Sequence, residues 1–444
     1  MLRSSRTIAA LAATVFVFTT GSVAQATWSI AIADTETKEV AVGTVTCLTG
    51  LDLLGIVPVV VVGKGAAACQ AAGDFDGIRR PIIFDGLKAG TSPEDILKAL
   101  AALPDHERRQ YGIADVLGRT ITFTGNQTFQ WAGGVVGSQG TLVYAIQGNI
   151  LAGDCVVPAI EQALRSTPGD IPTKMMAAMQ AARKAGGDGR CSCSPEEPTK
   201  CGCPPYPLKK SGHIGGMIFA RIGDADDPEC NLYGCADGNY YLRLNVPNAV
   251  PANPDPVLHL QVLFDLRRNE LKGRPDAIHS TVAFDPKPIP PNGTAKTTMK
   301  IALHDWRDQR VTIPIQSLTV THAPDSAGRS AIGTPINHGD GTFSVPLTAG
   351  TKPGLDRFVV TVNDGKRPVI LMPNPKLQYF PIGDLNCDGA INTDDVDPFV
   401  LALVNRDRYA GSYPNCTCLL ADCNGDGAVN NFDIDPFVKL LGGK

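Results

Sequence analysis

The sequence predicts an α+β layered domain, then a β-sandwich, then a small helical unit built on a duplicated acidic loop. Three observations carry this. Over residues 27–276, period-2 hydrophobic runs joined by hairpin turns are interleaved with segments of helical period. Over 277–380 the helical period is gone and only short alternating runs remain. Over 381–444 one pattern of Asp, Asn and Gly occurs twice. A chain of 444 residues is also too long for a single core.

The elements follow in order. Trp28, Ile30 and Ile32 fall on one face of the opening strand, Ser29, Ala31 and Ala33 on the other. The polar stretch 34–38 turns the chain into a second strand over 40–47, so the two form a hairpin. Residues 57–62 are a third, buried strand. A helix starts at Ser92, which suits the N-cap; Pro93 fits the first position, and Glu94 and Asp95 complement the N-terminal dipole. Strands resume at 112–115, 121–123 and 142–147. Residues 158–164 are helical, and Thr173 is placed to cap a helix over 174–184 that stops at Gly186-Gly187. Strands at 214–222 and 240–246 precede a last helix over 256–271, capped by Asp255. Helices grouped between hairpin-connected strands argue for α+β layering rather than βαβ winding. In the second unit, residues 297–303, 311–315, 343–347 and 358–362 alternate, with turns at Asp340-Gly341 and Asn363-Asp364-Gly365. This pattern resembles bacterial immunoglobulin-like modules and implies a spacer without chemistry of its own.

Arg3 and Arg6 precede an uncharged apolar run over residues 8–18, and Ala24-Gln25-Ala26 is a small-x-small site. The expectation is an export signal at 1–26, cleaved before Thr27. Cleavage after Ser22-Val23-Ala24 would instead leave Gln25 first. The run is too short to span a bilayer and no other is longer, so a mature chain without a transmembrane segment, secreted or at the cell surface, is expected. Thirteen cysteines in an exported chain read as disulfides, with at least one thiol left over. Cys191, Cys193, Cys201 and Cys203 form two C-x-C pairs that would otherwise hold zinc; Cys230 and Cys235 are expected to close a small loop. The formal charge is −4, and residues 381–444 hold ten Asp against four Lys or Arg. No basic patch offers a nucleic-acid surface.

The acid belongs to the repeat. Asp384, Asn386, Asp388, Gly389, Ala390, Asn392 and Asp395 recur as Asp422, Asn424, Asp426, Gly427, Ala428, Asn430 and Asp433. Oxygens at loop positions 1, 3, 5, 9 and 12 and the carbonyl at position 7 (Ala390, Ala428) surround a hard cation, while the glycine at position 6 makes the sharp turn. Two Ca2+ ions are expected. Each loop runs into a similar segment, Val396-Asp397-Pro398-Phe399-Val400 and Ile434-Asp435-Pro436-Phe437-Val438. The pair resembles the type I dockerin, an EF-hand-like module with Asp at position 12. That resemblance implies a cohesin-like or other cell-surface protein as partner. The Asp-Pro segments depart from the usual dockerin helices, and the basic residue that commonly follows is absent. Cys387, Cys416, Cys418 and Cys423 are placed to pin the loops together. The Asp-Pro-Phe-Val form also resembles repeats of planctomycete surface proteins, which implies a bacterial source.

The first unit carries a second resemblance. Its marks are Thr27-Trp28-Ser29-Ile30 with Asp34, Thr46-Cys47, Gln70, Gly86-Leu87, Gln110 with Gly112 and Asp115, and Thr124-Gly125. Further on come Trp131-Ala132-Gly133, residues 147–153, and Gly186-Gly187-Asp188. Together, in this order, they resemble the bacterial family called domain of unknown function 1028, grouped with the N-terminal-nucleophile (Ntn) hydrolases. The resemblance implies an αββα sandwich. It also implies that residue one supplies the nucleophile and its own α-amine the base. An α-amine titrates near pH 8, close enough to neutrality to take a proton from a hydroxyl. Cleavage after Ala26 would create this arrangement at Thr27, with Asn149 as side-chain donor to a tetrahedral oxyanion. The substrate would be an amide in a small molecule or peptide. Lys64 could tune the amine, although a solvated turn lysine fits it as well. Asp34 is read as a turn stabiliser, His213 as a hydrogen-bonded histidine and Cys47 as a disulfide or buried thiol. The Cys-rich stretch after Asp188 departs from the family. Two further readings stand beside the hydrolase: a non-catalytic binding or structural protein on the same scaffold and, last, a polysaccharide-degrading component, for which no paired carboxylates speak.

Overall fold

The structure, a computed structural model, describes residues 27–286, 289–327 and 330–442. The export signal read at 1–26 lies outside the described residues. The first unit runs β1 Thr27–Asp34, β2 Val40–Thr46, β3 Pro58–Val61, β4 Gly65–Gln70, α1 Arg79–Ala89, α2 Pro93–Ala101, β5 Gln110–Asp115 and β6 Thr120–Thr124. It continues through β7 Gly133–Gln139, β8 Leu142–Asn149, α3 Val156–Ser166, α4 Ile171–Lys184, α5 Gly189–Ser192, β9 Ile214–Ala220, β10 Leu242–Val246 and α6 Pro256–Glu270.

These elements make four layers. One sheet has the order β10-β9-β2-β1-β8-β7, the other β3-β4-β5-β6. Trp28, Ile30 and Ile32 bury against α3, α4 and α6, and Val59, Ala67 and Tyr111 against α1 and α2. Between the sheets Ala33, Ala66 and Ala114 pack with Val42, Val60, Val143 and Ile218. At one end this interlayer changes character. Ser29, Thr44, Gln70, Gln110 and Gln147 are all fully buried there. The αββα expectation therefore holds in its architecture.

Several boundaries differ from the sequence reading. The fourth helix begins at Ile171, and its cap is Asp170, whose Oδ1 accepts from the Thr173 N–H (3.2 Å); Thr173 instead donates its hydroxyl to that carboxylate. Strands β4 and β7 and helix α1 were not expected from the sequence at all.

The second unit contains β11 Thr281–Asp285, β12 Lys296–Ala302, β13 Ser317–His322, β14 Ala331–Ile332, β15 Ile336–Asn337, β16 Thr342–Thr348, β17 Gly354–Asn363, β18 Pro368–Ile370 and β19 Lys376–Tyr379. One sheet is β11-β12-β16-β14 with β15 on β16; the other joins β13, β18 and β19 to β17. Met299, Ile301, Val345, Phe358 and Val360 fill the sandwich between them. The strand expected at 311–315 is absent: Pro314 removes a ladder donor, and the chain there is irregular until β13. The junction with the first unit is polar and buried. Arg221 donates to Glu39 (2.6 Å) and Asp276 (2.8 Å) and stacks on Tyr241.

The third unit has α7 Val396–Val404, α8 Arg406–Ser412 and α9 Ile434–Leu441. Phe399 and Phe437, equivalent in the two repeats, stack with ring centroids 3.9 Å apart.

Candidate functional sites

The polar end of the interlayer is built on Thr27. Antiparallel pairing sets Thr27 opposite Asn149, and Ser29 opposite Gln147. The Thr27 backbone N–H donates to Asn149 Oδ1 (3.1 Å). The Thr27 carbonyl accepts from Gln70 Nε2 (2.8 Å). Gln70 Nε2 also donates to Gln110 Oε1 (3.0 Å), and Gln110 Nε2 to the Gly148 carbonyl (2.8 Å). The nucleophile and oxyanion-donor candidates are thus brought together. Asn149, however, is the last residue of β8 and not part of a turn, and its amide oxygen is committed to the Thr27 nitrogen. Sequence reasoning gave Gln70 and Gln110 no role. Their one signal is position: each is a glutamine at the end of an otherwise small, apolar inner strand face.

The other candidates separate from this site. Lys64 lies exposed in the β3–β4 turn, at the opposite end of β4 from Gln70. Asp34 accepts from the Glu36 and Thr37 N–H groups (2.8 and 2.7 Å) and from Thr141 Oγ1 (2.7 Å), which holds the β1–β2 turn. His213 Nδ1 bonds the Cys47 carbonyl (2.9 Å), and burial pulls its imidazole below the ordinary value.

The zinc alternative is corrected. Cys47 pairs with Cys191, Cys155 with Cys203, and Cys193 with Cys201, so the two C-x-C pairs are divided among three disulfides. Cys230–Cys235 closes the small loop expected of it. In the third unit Cys387 bonds Cys416, while Cys418 and Cys423, and in the first unit Cys69, remain thiols.

The two acidic loops share one hydrogen-bond scheme. In the first, Asp384 Oδ2 accepts from the Gly389 N–H (3.0 Å), Asn386 Oδ1 from Asp388 (2.9 Å) and Asp388 Oδ1 from Ala390 (2.9 Å). Asp395 closes the loop, accepting from Leu385 (2.7 Å), Asn386 (3.0 Å) and Asn392 (2.9 Å). In the second, Asp422, Asn424 and Asp426 accept from Gly427, Asp426 and Ala428, and Asp433 accepts from Asn424 and Asn430. Asn392 and Asn430 cap the turns that follow.

The fit to a hard cation can be tested on this geometry. Backbone N–H groups hold one oxygen of Asp384 and turn the rest of the carboxylate inward. Asp384 Oδ1 is buried with no hydrogen-bond partner among the described residues. Burial raises the Asp384 carboxyl above its ordinary value, the Gly389 N–H pulls it back, and the charges of Asp395 and Asp388 add to the rise. An acceptor-only group left without a donor, among like charges, fits a cation. In the second loop the corresponding Asp422 Oδ1 accepts from Gly425 (3.0 Å).

Comparison with known proteins finds matches within the first and second units. The family model described as "Family of unknown function (DUF1028)" matches residues 27–195, and that of invasin domain 3 matches 276–369. The chain is thus a multidomain protein with a DUF1028-like N-terminal region and an invasin-like immunoglobulin-type module. Among solved structures, a DUF1028 protein of Silicibacter pomeroyi is 20% identical, over 54% of this chain and 88% of that one, with TM-score 0.38. The adhesin InvE of Yersinia pseudotuberculosis is 20% identical over 23% of this chain and 26% of that one (TM-score 0.19). FdeC, an Escherichia coli adhesin, is 12% identical over 59% and 57% (TM-score 0.16). The chain therefore spans about a quarter of the Yersinia protein's length. No curated protein matches it.

Proposed function

We propose that the chain is an exported Ntn-type amide hydrolase in which Thr27, freed at its amine by removal of residues 1–26, is the nucleophile. The observation that carries this reading is the hold on one atom. The nitrogen that would become the α-amine is bonded to Asn149 Oδ1, 3.1 Å away, at the polar end of the two-sheet interlayer. The DUF1028 match also begins at Thr27. In the proposed reaction the α-amine takes the Thr27 hydroxyl proton as the oxygen attacks an amide carbonyl. The amide oxygen becomes the oxyanion, for which the Asn149 carboxamide is the candidate donor. The protonated amine then passes its proton to the departing nitrogen, and water hydrolyses the ester. The immunoglobulin-type module spaces this domain from the C-terminal unit. That unit would bind two Ca2+ ions through Asp384, Asn386, Asp388, Ala390, Asn392 and Asp395 and through Asp422, Asn424, Asp426, Ala428, Asn430 and Asp433. It would dock as a dockerin does, on a cohesin-like or cell-surface protein.

The test is the N-terminal sequence and intact mass of the exported protein, followed by Thr27→Ala against a panel of amides. A start at Thr27 with hydrolysis that the substitution abolishes supports the reading. A start at Gln25, or a blocked amine, removes the base and sinks it.

A second reading has its own support. The invasin domain 3 match at 276–369 favours an adhesin-like, non-catalytic surface protein that uses the first domain as a scaffold. It expects a mature chain that binds cells or matrix with equal strength before and after Thr27→Ala.

A further inference from the structure

We propose that Gln70 is the positioning residue of the Thr27 site, clamping the Thr27 carbonyl through a one-directional chain of buried hydrogen bonds. The proposal rests on Thr27 being the mature first residue.

The direction of the chain follows from groups that can only accept. The Thr27 carbonyl has no proton to give, so Gln70 must turn Nε2 toward it (2.8 Å). The second N–H of that nitrogen goes to Gln110 Oε1 (3.0 Å). Gln70 Oε1 is left to accept from the Ser29 hydroxyl (2.5 Å). Ser29 Oγ, having given its only proton, accepts from Thr44 Oγ1 (2.8 Å). Gln110 must turn Nε2 to the Gly148 carbonyl (2.8 Å), another pure acceptor, and to Thr124 Oγ1 (2.9 Å). Flipping either carboxamide sets oxygen against oxygen. The chain runs from β2 across β1 to the second sheet, and returns to β8, the strand that carries Asn149.

Burying two glutamines has a cost that an apolar pair would avoid, because a half-satisfied network is worse than none. Ala66 and Ala68 precede Gln70 on the inner face of β4, and Gly112 and Ala114 follow Gln110 on β5, so small residues would fit there. What the glutamines add is a hold on Thr27 at a second point. Asn149 fixes its nitrogen and Gln70 its carbonyl, so only the side-chain torsion is left to set the hydroxyl against the amine. A donor on that carbonyl also disfavours positive charge on the adjoining amine and keeps its pKa closer to neutrality.

The test uses the mature chain beginning at Thr27, with its α-amine dimethylated by 13C-formaldehyde and titrated by NMR. Gln70→Met removes the donor at similar volume and is expected to raise the midpoint by about half a unit. Ser29→Ala keeps the Gln70 donor on the Thr27 carbonyl but removes the hydroxyl that holds Gln70 Oε1, so the clamp loosens and the midpoint is expected to rise by less; this variant carries the test if Gln70→Met does not fold. An unchanged midpoint in folded variants overturns the proposal. A second arm keeps it separate from the hydrolase reading. The unmethylated protein is treated with an aliphatic β-lactone, which Thr27 Oγ opens by attack on the carbonyl; the ring C–O bond breaks, and the alkoxide takes the proton that the amine removed from the hydroxyl. Slower adduct formation in Gln70→Met, by about tenfold, supports positioning. A shifted midpoint with no adduct in any form upholds the clamp and removes Thr27 as nucleophile.

Discussion

Thr27 meets Asn149 across 122 residues of chain, whereas Leu385 meets Asp395 across ten. The first site exists only when two sheets have formed and paired in register. The second is written into one loop, where each side chain bonds a backbone N–H a few residues away. A site made by long-range pairing has its geometry set by the rest of the domain, and substitutions in it change chemistry before they change folding. A site made locally has its geometry set by its own caps and turns, and substitutions change folding and binding together.

The largest effect tests the first half of that contrast. Thr27→Ala removes one hydroxyl from a strand that is buried along its whole length. It is expected to abolish β-lactone labelling, a loss of more than about a thousandfold, with a melting temperature within a few degrees of wild type. A large drop in melting temperature would mean that the hydroxyl serves the fold.

Asp395→Ala and Asp433→Ala test the second half. Asp395 accepts three backbone N–H groups and Asp433 two, as described above. Each loss is expected to lower the stability of the C-terminal unit by about 2–3 kcal/mol and the calcium stoichiometry from two to one. Isothermal titration and calcium-dependent melting read both quantities. Loss of both ions in either variant would show that the loops are a single cooperative site.

The same contrast explains what the sequence disclosed. The repeat of the two loops was readable, because their turn glycines, capping Asn residues and Asp side chains recur at fixed spacing. The β1–β2 hairpin was readable from alternation, and α2 and α6 from their caps. Other elements were not, among them β4, α1 and β7. Strand β4 reads GAAACQ, with no β-branched residue, and is held extended by its neighbours β3 and β5. Helix α1 contains Pro81 and Gly86 and has no side-chain cap. Strand β7 carries Gly133, Gly134 and Gly137 and so resembles a loop; a Cβ at Gly137 would meet the Tyr144 ring. Because β4 was missed, so was the role of Gln70 at its end.

A smaller effect concerns the junction between the first and second units. Glu39 lies 2.6 Å from Arg221, yet its carboxyl is pushed up to about 6. Burial outweighs the ion pair, and Arg221 is shared with Asp276, which it holds well below the usual carboxylate range against the same burial. A carboxyl raised in the fold contributes stability that is full below its unfolded value, near 4.5, and lost as pH rises through 6. Between pH 4.5 and 7 this group is expected to remove about 2 kcal/mol. Urea unfolding of Glu39→Gln should show a correspondingly flatter pH profile over that window; an identical profile would assign the dependence elsewhere.

A last comparison separates the two loops from each other. Position four is left-handed in both, at Cys387 (φ 59°) and Gly425 (φ 74°). The first loop places a cysteine where backbone sterics favour glycine, at a cost of about 1 kcal/mol, and uses its side chain to reach Cys416 across 29 residues. Cys387→Gly relieves the backbone but releases that cross-link, worth about 3.5 kcal/mol in chain entropy, for a net loss of about 2.5. Gly425→Ala puts a Cβ into open space, with nothing within 4 Å, so only the backbone term remains, about 1 kcal/mol. Melting of the calcium-loaded chain should therefore rank Cys387→Gly below Gly425→Ala. The reverse order would mean that the disulfide holds a loop already closed by Asp395 alone, and that the two repeats differ in sequence without differing in what stabilises them.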